Sequence, residues 1–458
     1  MTIMNNALSG ALASQLALSA SSQNIANLQT AGYTRQGALL TAVGGSGPRQ
    51  AGNGVEVTQL MRFSDGYKSQ QMWRAASSVG QYSQNQPYLT QLERVMGDDS
   101  SSLSSGVDKF FASLNAVAGV DPTSTALRGQ VLTAANLLSQ RFNNLNNVYN
   151  AQTQSVVQQR SAIVDSANAE IAQIAALNQQ IAHAAATGAS ASGLMDTRDQ
   201  AIDKLASQMA LEVDDQPDGT RNVSLATGES LVLGGVGATL SATGGVSTAQ
   251  SFTLSIASST FSLNAASLGG QLGGLTSYEQ TVLNPLRQGV ADMAQQLATK
   301  VNGLLATGYT MDGTTPGKPL FVYTPGSSSN MLQVTAGFQA TDFAFSADGN
   351  PGDTGVLQQL VDIKNQPISV TGIGSVLVGD ADTQLVGKLG VQSQQNQASL
   401  TTTQTVRAQA EQDWQSTSGV NQDEEAVNLV EYQKMYQANM KVMSVANSLF
   451  DATLQMMG

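Results

Sequence analysis

Three consecutive carboxylates, Asp423, Glu424 and Glu425, form the densest group of residue types that could do acid–base chemistry. Carboxylates that share a cleft can act as general acid and general base. Asn421, however, stands three residues before Glu424, which is the spacing of a helix capping box, and the dipole of a helix stabilises negative charge in its first turn. Helix capping explains all of these residues. We therefore predict the start of a helix with Asn421 and Glu424 as its cap, and no catalytic site.

Few other residues could do chemistry. The chain has no cysteine, and its single histidine, His183, lies in a polar helical stretch and is expected to face solvent. Thiolate nucleophiles and disulfides are excluded, and little remains for imidazole chemistry. The turns at Asp312 and Asp348 lack the spacing of a calcium-binding loop, and no phosphate-binding or dinucleotide-binding motif occurs. We expect no catalytic residue, cofactor or metal.

Composition limits the class of partner. The net charge of −12, from 33 acidic and 21 basic residues, opposes nucleic-acid binding and leaves no polybasic surface for anionic lipid. No apolar run is long enough to cross a membrane, and the N-terminus lacks the pattern of a cleaved secretory signal, so neither membrane insertion nor a removed leader is expected. Only 12% of the residues are charged and 5% are aromatic, which is typical of shallow cores.

The first thirty residues carry no charge, and the first charged residue is Arg35. Glycine tolerates the left-handed conformation that ends helices, so we expect an amphipathic helix that stops at Gly32. Apolar side chains recur every seven residues at Met4, Ala11, Leu18 and Ile25, and every four residues at Leu8, Leu12 and Leu16.

The last helix, from Asn421 onward, has an apolar face that continues almost to the C-terminus. One column at sevens consists of Leu429, Tyr436, Met443, Phe450 and Met457, and a second consists of Met435, Val442, Leu449 and Met456. Such broad apolar faces leave one side in water even when two helices pair. Both ends could simply pack within one helical domain. We expect instead that they are disordered in the free chain and fold between neighbouring subunits.

The order of helical and strand-like stretches is nearly symmetric about the middle of the chain, which favours nested domains of a multidomain α+β fold. Apart from the ends, helical blocks are expected at about 64–97, 105–119, 124–150, 151–187, 194–210, 275–307 and 381–416. We expect three regions: axial terminal helices (1–32 with 421–458) forming a coiled-coil-like domain, a mainly helical domain (33–210, 275–307 and 381–420), and a β-rich outer region (211–274 and 308–380). Whether 308–380 completes the region begun at 211 is left open.

The residues Asn24, Ile25, Ala26 and Asn27 are followed by Thr30, Gly32, Tyr33 and Arg35. This order resembles the N-terminal signature of the bacterial flagellar axial proteins, Asn-Ile-Ala-Asn and then Thr-x-Gly-Tyr-x-Arg. The C-terminal stretch from "SGVNQDEE" to "ANSLFDATL" is similar to the hook-associated members of that family. Further matches are "GNGV" at 52–55, "LMDTRDQ" at 194–200 and the stretch from "SLGGQLGGL" to "GYTMDG" at 267–313.

The resemblance implies a structural subunit and not an enzyme. It implies a ring of identical subunits at the junction of hook and filament, in contact with the hook protein and the next hook-associated protein. It also implies an extracellular position, type III export without a cleaved signal, and an export chaperone that holds the C-terminal helix. The alternatives are another axial protein, such as a flagellin, or a secreted enzyme acting on cell wall, which would need paired acids in a cleft of the middle region.

The expected assembly interface lies on the two terminal segments. Asn24 and Asn27 could instead be an ordinary helix end, and Tyr33 and Arg35 could orient the chain as it leaves the first helix. The residues of this interface are Leu8, Ala11, Leu18, Asn24, Ile25, Asn27, Gly32, Tyr33, Arg35, Leu429, Tyr436, Met443, Leu449, Phe450 and Met457.

Overall fold

The structure is a computed structural model that describes residues 2–44, 52–99, 101–245, 248 and 250–457. Long helices form the frame, and small antiparallel sheets attach to it. The helices are α1 (Thr2–Ala26), α2 (Gly66–Met96), α3 (Leu103–Val120), α4 (Thr125–Thr187), α5 (Ser192–Gln208), α6 (Gly270–Tyr278), α7 (Asn284–Leu305), α8 (Gly355–Asp362), α9 (Ala381–Ser418) and α10 (Gln422–Met457).

The strands pair with their neighbours in sequence. They are β1 (Gln36–Ala42) with β2 (Val55–Arg62); the four-stranded sheet β3 (Leu211–Asp215), β4 (Arg221–Leu225), β5 (Ser230–Leu233) and β6 (Val236–Gly237); the three-stranded sheet β7 (Thr239–Thr243), β8 (Ser251–Ile256) and β9 (Ser259–Leu263); β10 (Phe321–Tyr323) with β11 (Leu332–Val334); and β12 (Pro367–Val370) with β13 (Gly374–Leu377). This mixture is an α+β fold.

Helix α4 is the scaffold of the central body. It has 63 residues and is therefore about 95 Å long. The two blocks expected at 124–150 and 151–187 are one helix, because an apolar seam at spacings of three and four, which includes Leu138, Phe142 and Tyr149, continues without a glycine or proline break. The Ser124 side chain caps its start, and left-handed Gly188 ends it.

Asparagines on α4 hold strands by their backbone. The Asn168 amide donates to the Leu240 carbonyl and accepts from the Leu240 N–H, both at 2.8 Å. Asn143 makes the same pair of bonds with Leu332, at 2.8 and 3.1 Å. Each amide therefore satisfies both backbone groups of one strand residue, as a neighbouring strand would.

The two β-rich stretches dock on different halves of α4. Sheets β3–β6 and β7–β9 lie against its C-terminal half, near Asn168, whereas β10, β11 and the segment around α8 lie near Asn143 and against α3 and α7. The 25 residues between these two asparagines correspond to about 38 Å of helix. The two β-rich stretches thus dock at separate places along one helix.

Helix α9 returns along α2 and closes the central body. One apolar core extends through this body, from Trp73 on α2 to Leu389 on α9. The stretch expected to be helical at 275–307 runs as α6, a π-helical turn at Glu279–Leu283 and α7. The buried Arg160 of α4 pairs with Glu279 of the π-helical turn at 2.6 Å. The terminal helices α1 and α10 are attached to this body.

The first helix is shorter than the sequence predicted. Helix α1 ends at Ala26 and not at Gly32, because the backbone tightens into turns in which Leu28 donates to Ile25 and Thr30 to Asn27. Gly32 is left-handed, with φ of +74°, but it belongs to the turn that leads into β1.

Candidate assembly surface at the paired termini

Helices α1 and α10 form an antiparallel pair that stands apart from the central core. A Cβ placed on Gly10 would lie 2.8 Å from the Asn439 side chain, so the two backbones approach closely there. Among the described side chains of α1, none larger than asparagine is fully buried. Its buried positions are Ala7, Ala11, Ala13, Ser14, Ala17, Ala20, Ser21 and Asn24.

On α10 the less exposed positions mark a seam toward α1. Most are four and three residues apart, which is the spacing of a coiled-coil seam. They are Glu425, Asn428, Leu429, Tyr432, Tyr436, Asn439, Met443 and Ala446. The first apolar column predicted from the sequence is therefore used within the chain as far as Met443.

Many large apolar side chains of the pair point outward. Leu12 is 58% exposed and Leu449 60% exposed, although both are leucines on amphipathic helices. The exposed members are Ile3, Met4, Leu8, Leu12 and Leu16 on α1, and Val427, Val430, Met435, Met440, Val442, Val445, Leu449, Phe450, Leu454 and Met456 on α10. The second heptad column of α10, Met435 to Met456, is thus an uncovered apolar face.

The end of α10 extends beyond α1. Because Gly10 faces Asn439 in an antiparallel pair, Thr2 lies level with about residue 447 of α10. Every position from 447 to 456 is exposed, including Phe450 at 61%. This overhang has no cover from the chain's own N-terminal helix.

Asn24 ties the end of α1 to the start of β1. Its amide donates to the Gln36 carbonyl at 2.8 Å and accepts from the Gln36 N–H at 3.0 Å, and it also accepts from the Tyr33 hydroxyl at 2.9 Å. Burial, followed by the negative charges of Asp196 and Glu425, raises the pKa of Tyr33 to about 12, so its hydroxyl stays protonated and donates. Asn24 and Tyr33 therefore set the direction in which the chain leaves α1.

Arg35 joins the three segments that meet at this point. Its Nη1 pairs with Glu424 Oε2 at 2.6 Å, its guanidinium lies 4.4 Å from the centre of the Phe63 ring, and its backbone N–H donates to the Ser418 carbonyl at 2.8 Å.

The capping box predicted at the start of α10 is only half formed. The Asn421 side chain accepts from the Asp423 and Glu424 N–H groups, but the Glu424 carboxylate turns to Arg35, since a charge-assisted bond is stronger than a bond to a neutral amide.

A buried ion network fixes the β1–β2 hairpin to the central body. Arg62, at the end of β2, donates to Asp196 at 2.9 Å and to Asp199 at 2.8 Å, and Arg198 and Arg221 also bind Asp199. Burial acts to raise the pKa of Asp199, but Arg221, Arg62 and Arg198 outweigh it and lower that pKa below 3.8. Burial raises the pKa of Asp196, and the positive charge of Arg62 offsets this rise only in part. The motif "LMDTRDQ" thus serves to position the hairpin.

The sequence-predicted interface residues divide into two groups. Ala11 and Asn24 are buried, and Leu18, Ile25, Leu429, Tyr436 and Met443 are half-buried within the terminal pair, so this conformation uses them inside one chain. Leu8, Leu449 and Phe450 are exposed, Asn27 and Gly32 are half-exposed in the turn, and the side chain of Met457 lies outside the described residues. The list omitted Leu12, Met435 and Val442, which the spacings of four and seven could have supplied.

The described residues were also searched for other kinds of site. They contain no group of three or more acidic or histidine side chains that could hold a metal ion. His183 is exposed near the C-terminal end of α4. No helix among the described residues has both the length and the hydropathy needed to cross a bilayer.

Comparison with known proteins gives matches over nearly the whole chain. Residues 89–321 match the model of the flagellar hook-associated protein FlgK helical domain, and residues 411–456 match the flagellar basal body rod FlgEFG protein C-terminal model. Flagellar hook-associated protein 1 of Salmonella typhimurium is 27% identical, over 99% of both chains. The protein of the same name from Bacillus subtilis is 26% identical, over 97% of this chain and 96% of the relative.

A solved structure agrees with these matches. The flagellar hook junction protein FlgK from Burkholderia pseudomallei superposes with a TM-score of 0.51 and 27% identity, over 56% of this chain and 47% of that one. The chain therefore belongs to the FlgK family of flagellar hook-associated junction proteins, as a structural, exported component of the flagellum that associates with other rod and hook components.

Proposed function

We propose that this chain forms the junction ring between hook and filament, and that the outward apolar faces of α1 and α10 join neighbouring copies. The observation that carries this proposal is the exposed apolar column on each helix, Leu8, Leu12 and Leu16 on α1 and Met435, Val442, Leu449 and Met456 on α10. Burying one such side chain contributes about 1.5–3 kcal/mol. Neighbouring copies that cover both columns would bury large apolar side chains that the seam between α1 and α10 leaves exposed.

The remaining partners follow from the same surface and from family membership. We propose that the ring lies outside the cell, between the hook protein and the next hook-associated protein, after type III export without a cleaved signal. The overhang of α10, residues 447–456, is the part that an export chaperone would cover, since it is apolar and exposed. We also propose that residues 1–32 and 421–458 form one axial domain. The two ends of the free chain fold only when copies assemble.

Phe450→Asp tests the apolar face. Phe450 has no cover within the chain, so the purified monomer should keep its circular dichroism and its unfolding midpoint. Incorporation into flagella should fall at least about tenfold, because a charge would enter an apolar interface. Incorporation is measured by immunoblot of sheared flagella from cells whose own copy is replaced. Gln437→Asp, on an exposed polar position of the same helix, is the matched control.

Met443→Asp should act differently. Met443 lies in the seam toward α1, so its replacement should weaken the pairing of the two ends when they fold on assembly, while the central body of the monomer stays folded. Hydrogen exchange near residues 10 and 445 in assembled flagella would report this weaker pairing. Incorporation of Phe450→Asp at the wild-type level would contradict the proposed interface, whatever Met443→Asp does.

A further inference from the structure

A groove of about 560 Å³ opens where α1, β1 and the first turns of α10 meet. Its α1 wall consists of small side chains, Ala17, Ala20 and Ser21, and its β1 wall begins at Arg35. The third wall is the start of α10, from Asp423 to Tyr432. The groove therefore lies at the junction of the terminal pair with the hairpin, beside the proposed assembly surface.

The groove has more negative charge than the chain neutralises. Asp423, Glu424 and Glu425 line it together with one cation, Arg35, whose Nη1 binds Glu424. Glu425 is only 2% exposed, and its Oε2 atom has no hydrogen-bond partner among the described residues. Asp423 and Glu424 are exposed to water, but a buried carboxylate oxygen without a donor is unfavourable. The Glu425 carboxylate can therefore accept a hydrogen bond from a cation that another chain supplies.

Two cations on α10 have no partner of their own. Lys434 and Lys441 are exposed, seven residues apart on the side opposite the seam, and no ion pair or hydrogen bond of their side chains occurs within the described chain. They lie about 14 and 24 Å along the helix from Glu425, too far for their ammonium groups to reach that carboxylate in the same copy. They stand next to Met435 and Val442, so docking of that apolar column would bring these lysines to a neighbouring copy.

We propose that, in the assembled ring, the groove of one copy receives Lys434 or Lys441 from the α10 helix of the adjacent copy. An ammonium group brings three donors and a positive charge. Apolar columns slide along each other at little cost, whereas a charge pair at one place fixes the axial register. This inference rests on the proposed self-assembly through α1 and α10, and adds the contact that sets its register.

Engineered cysteine pairs test the contact, since the chain has no cysteine of its own. The variants are Asp423→Cys with Lys434→Cys and Asp423→Cys with Lys441→Cys, each in the full chain. Within one copy these positions are about 17 and 27 Å apart along α10, and a disulfide needs Cα atoms within about 7 Å. Any disulfide must therefore join two copies. Mild oxidation of flagella should give a ladder of covalent oligomers for at least one pair, and none for the three single variants.

A charge test gives a second readout. Glu425→Gln should lower incorporation about tenfold, whereas Glu431→Gln, on an exposed position of α10 outside the groove, should leave it unchanged. Lys434→Glu or Lys441→Glu should also lower incorporation.

The outcomes separate this inference from the function on which it rests. If Phe450→Asp blocks incorporation but neither cysteine pair gives a ladder and neither lysine variant has an effect, the register contact is wrong and the self-assembly stands. An effect of Glu425→Gln alone would mean that the groove takes a cation from another protein, and would also overturn the proposed occupant. Normal incorporation of Phe450→Asp would count against the self-assembly itself.

Discussion

Helices α4 and α1 are both long and amphipathic, but they bury opposite kinds of side chain. The buried face of α4 carries Leu138, Phe142 and Tyr149, which pack in the central core. The buried face of α1 carries alanines and serines, while Leu8 and Leu12 face outward. Apolar side chains on a helix therefore mark a surface to be covered, and the fold decides whether the same chain covers it.

The central body and the terminal pair are stabilised by different kinds of contact. The central body is stabilised by large buried apolar area, which is the dominant favourable contribution to folding. In the terminal pair, small residues of α1 pack against half-buried side chains of α10 such as Leu429 and Tyr436, and the bonds of Asn24 and Arg35 join the pair to the body. A region held in this way leaves several large apolar side chains exposed, such as Leu12 and Phe450.

Replacing one phenylalanine in each region should give the largest contrast. Phe142→Ala, in the core, should lower the free energy of unfolding of the central body by about 3–5 kcal/mol, because it leaves a cavity. Phe450→Ala, on the overhang, should change it by less than about 0.5 kcal/mol. Urea unfolding of both purified monomers, followed by circular dichroism, measures the two values. Similar losses for the two variants would mean that the overhang packs on the body.

A smaller effect is expected where the two regions join. Asp199→Asn removes the carboxylate that Arg62, Arg198 and Arg221 share, and should cost about 3 kcal/mol because their charges stay buried. The pKa of Asp199 is lower in the folded state than 3.8, so its ionisation stabilises the fold above that pH, and this stability is lost as the pH falls through the folded-state pKa.

Acid titration of stability measures this contribution. The wild type should lose stability below about pH 4, and Asp199→Asn should lose less of it over the same range. Glu212→Gln, which breaks the exposed pair with Arg74, is the control and should cost less than about 1 kcal/mol. An Asp199→Asn variant with the acid dependence of the wild type would show that the network does not hold the hairpin.

The smallest effect concerns the start of α10. Asn421→Ala removes the side chain that accepts from the Asp423 and Glu424 N–H groups, and should destabilise the helix by about 1 kcal/mol. Faster hydrogen exchange in the first turn of α10, with no change in α4, is the expected result. Protection equal to that of the wild type would mean that the Arg35–Glu424 pair alone fixes this helix end.

The sequence predicted the elements better than their arrangement. The helix after Asn421, the helices α2, α3, α5 and α9, and the small antiparallel strands follow from periodicity, capping residues and turns, which are local properties. The adjoining blocks 124–150 and 151–187 are one helix, since the apolar seam continues through them. The helix end predicted at Gly32 was wrong, because the backbone forms turns after Ala26.

The candidate surface was found only in part. Spacing alone identified two apolar columns on α10, but it could not tell which of them faces α1, since both have the same period. The role of Arg62 with Asp196 and Asp199 also had no signal in the sequence, because these residues are more than 130 positions apart. Their contact exists only once α5 and the hairpin meet.

The sequence by itself determined that both ends are amphipathic helices, that the chain has no cysteine or metal-binding pattern, and that its signatures resemble those of flagellar axial proteins. These follow from residue types and short-range spacing, which need no fold. Only the tertiary structure decided that the small residues of α1 face α10, that one apolar column of α10 is left exposed, and that a buried oxygen of Glu425 has no hydrogen-bond partner among the described residues. Those facts depend on which faces meet across the length of the chain, and contacts between distant residues are set by packing.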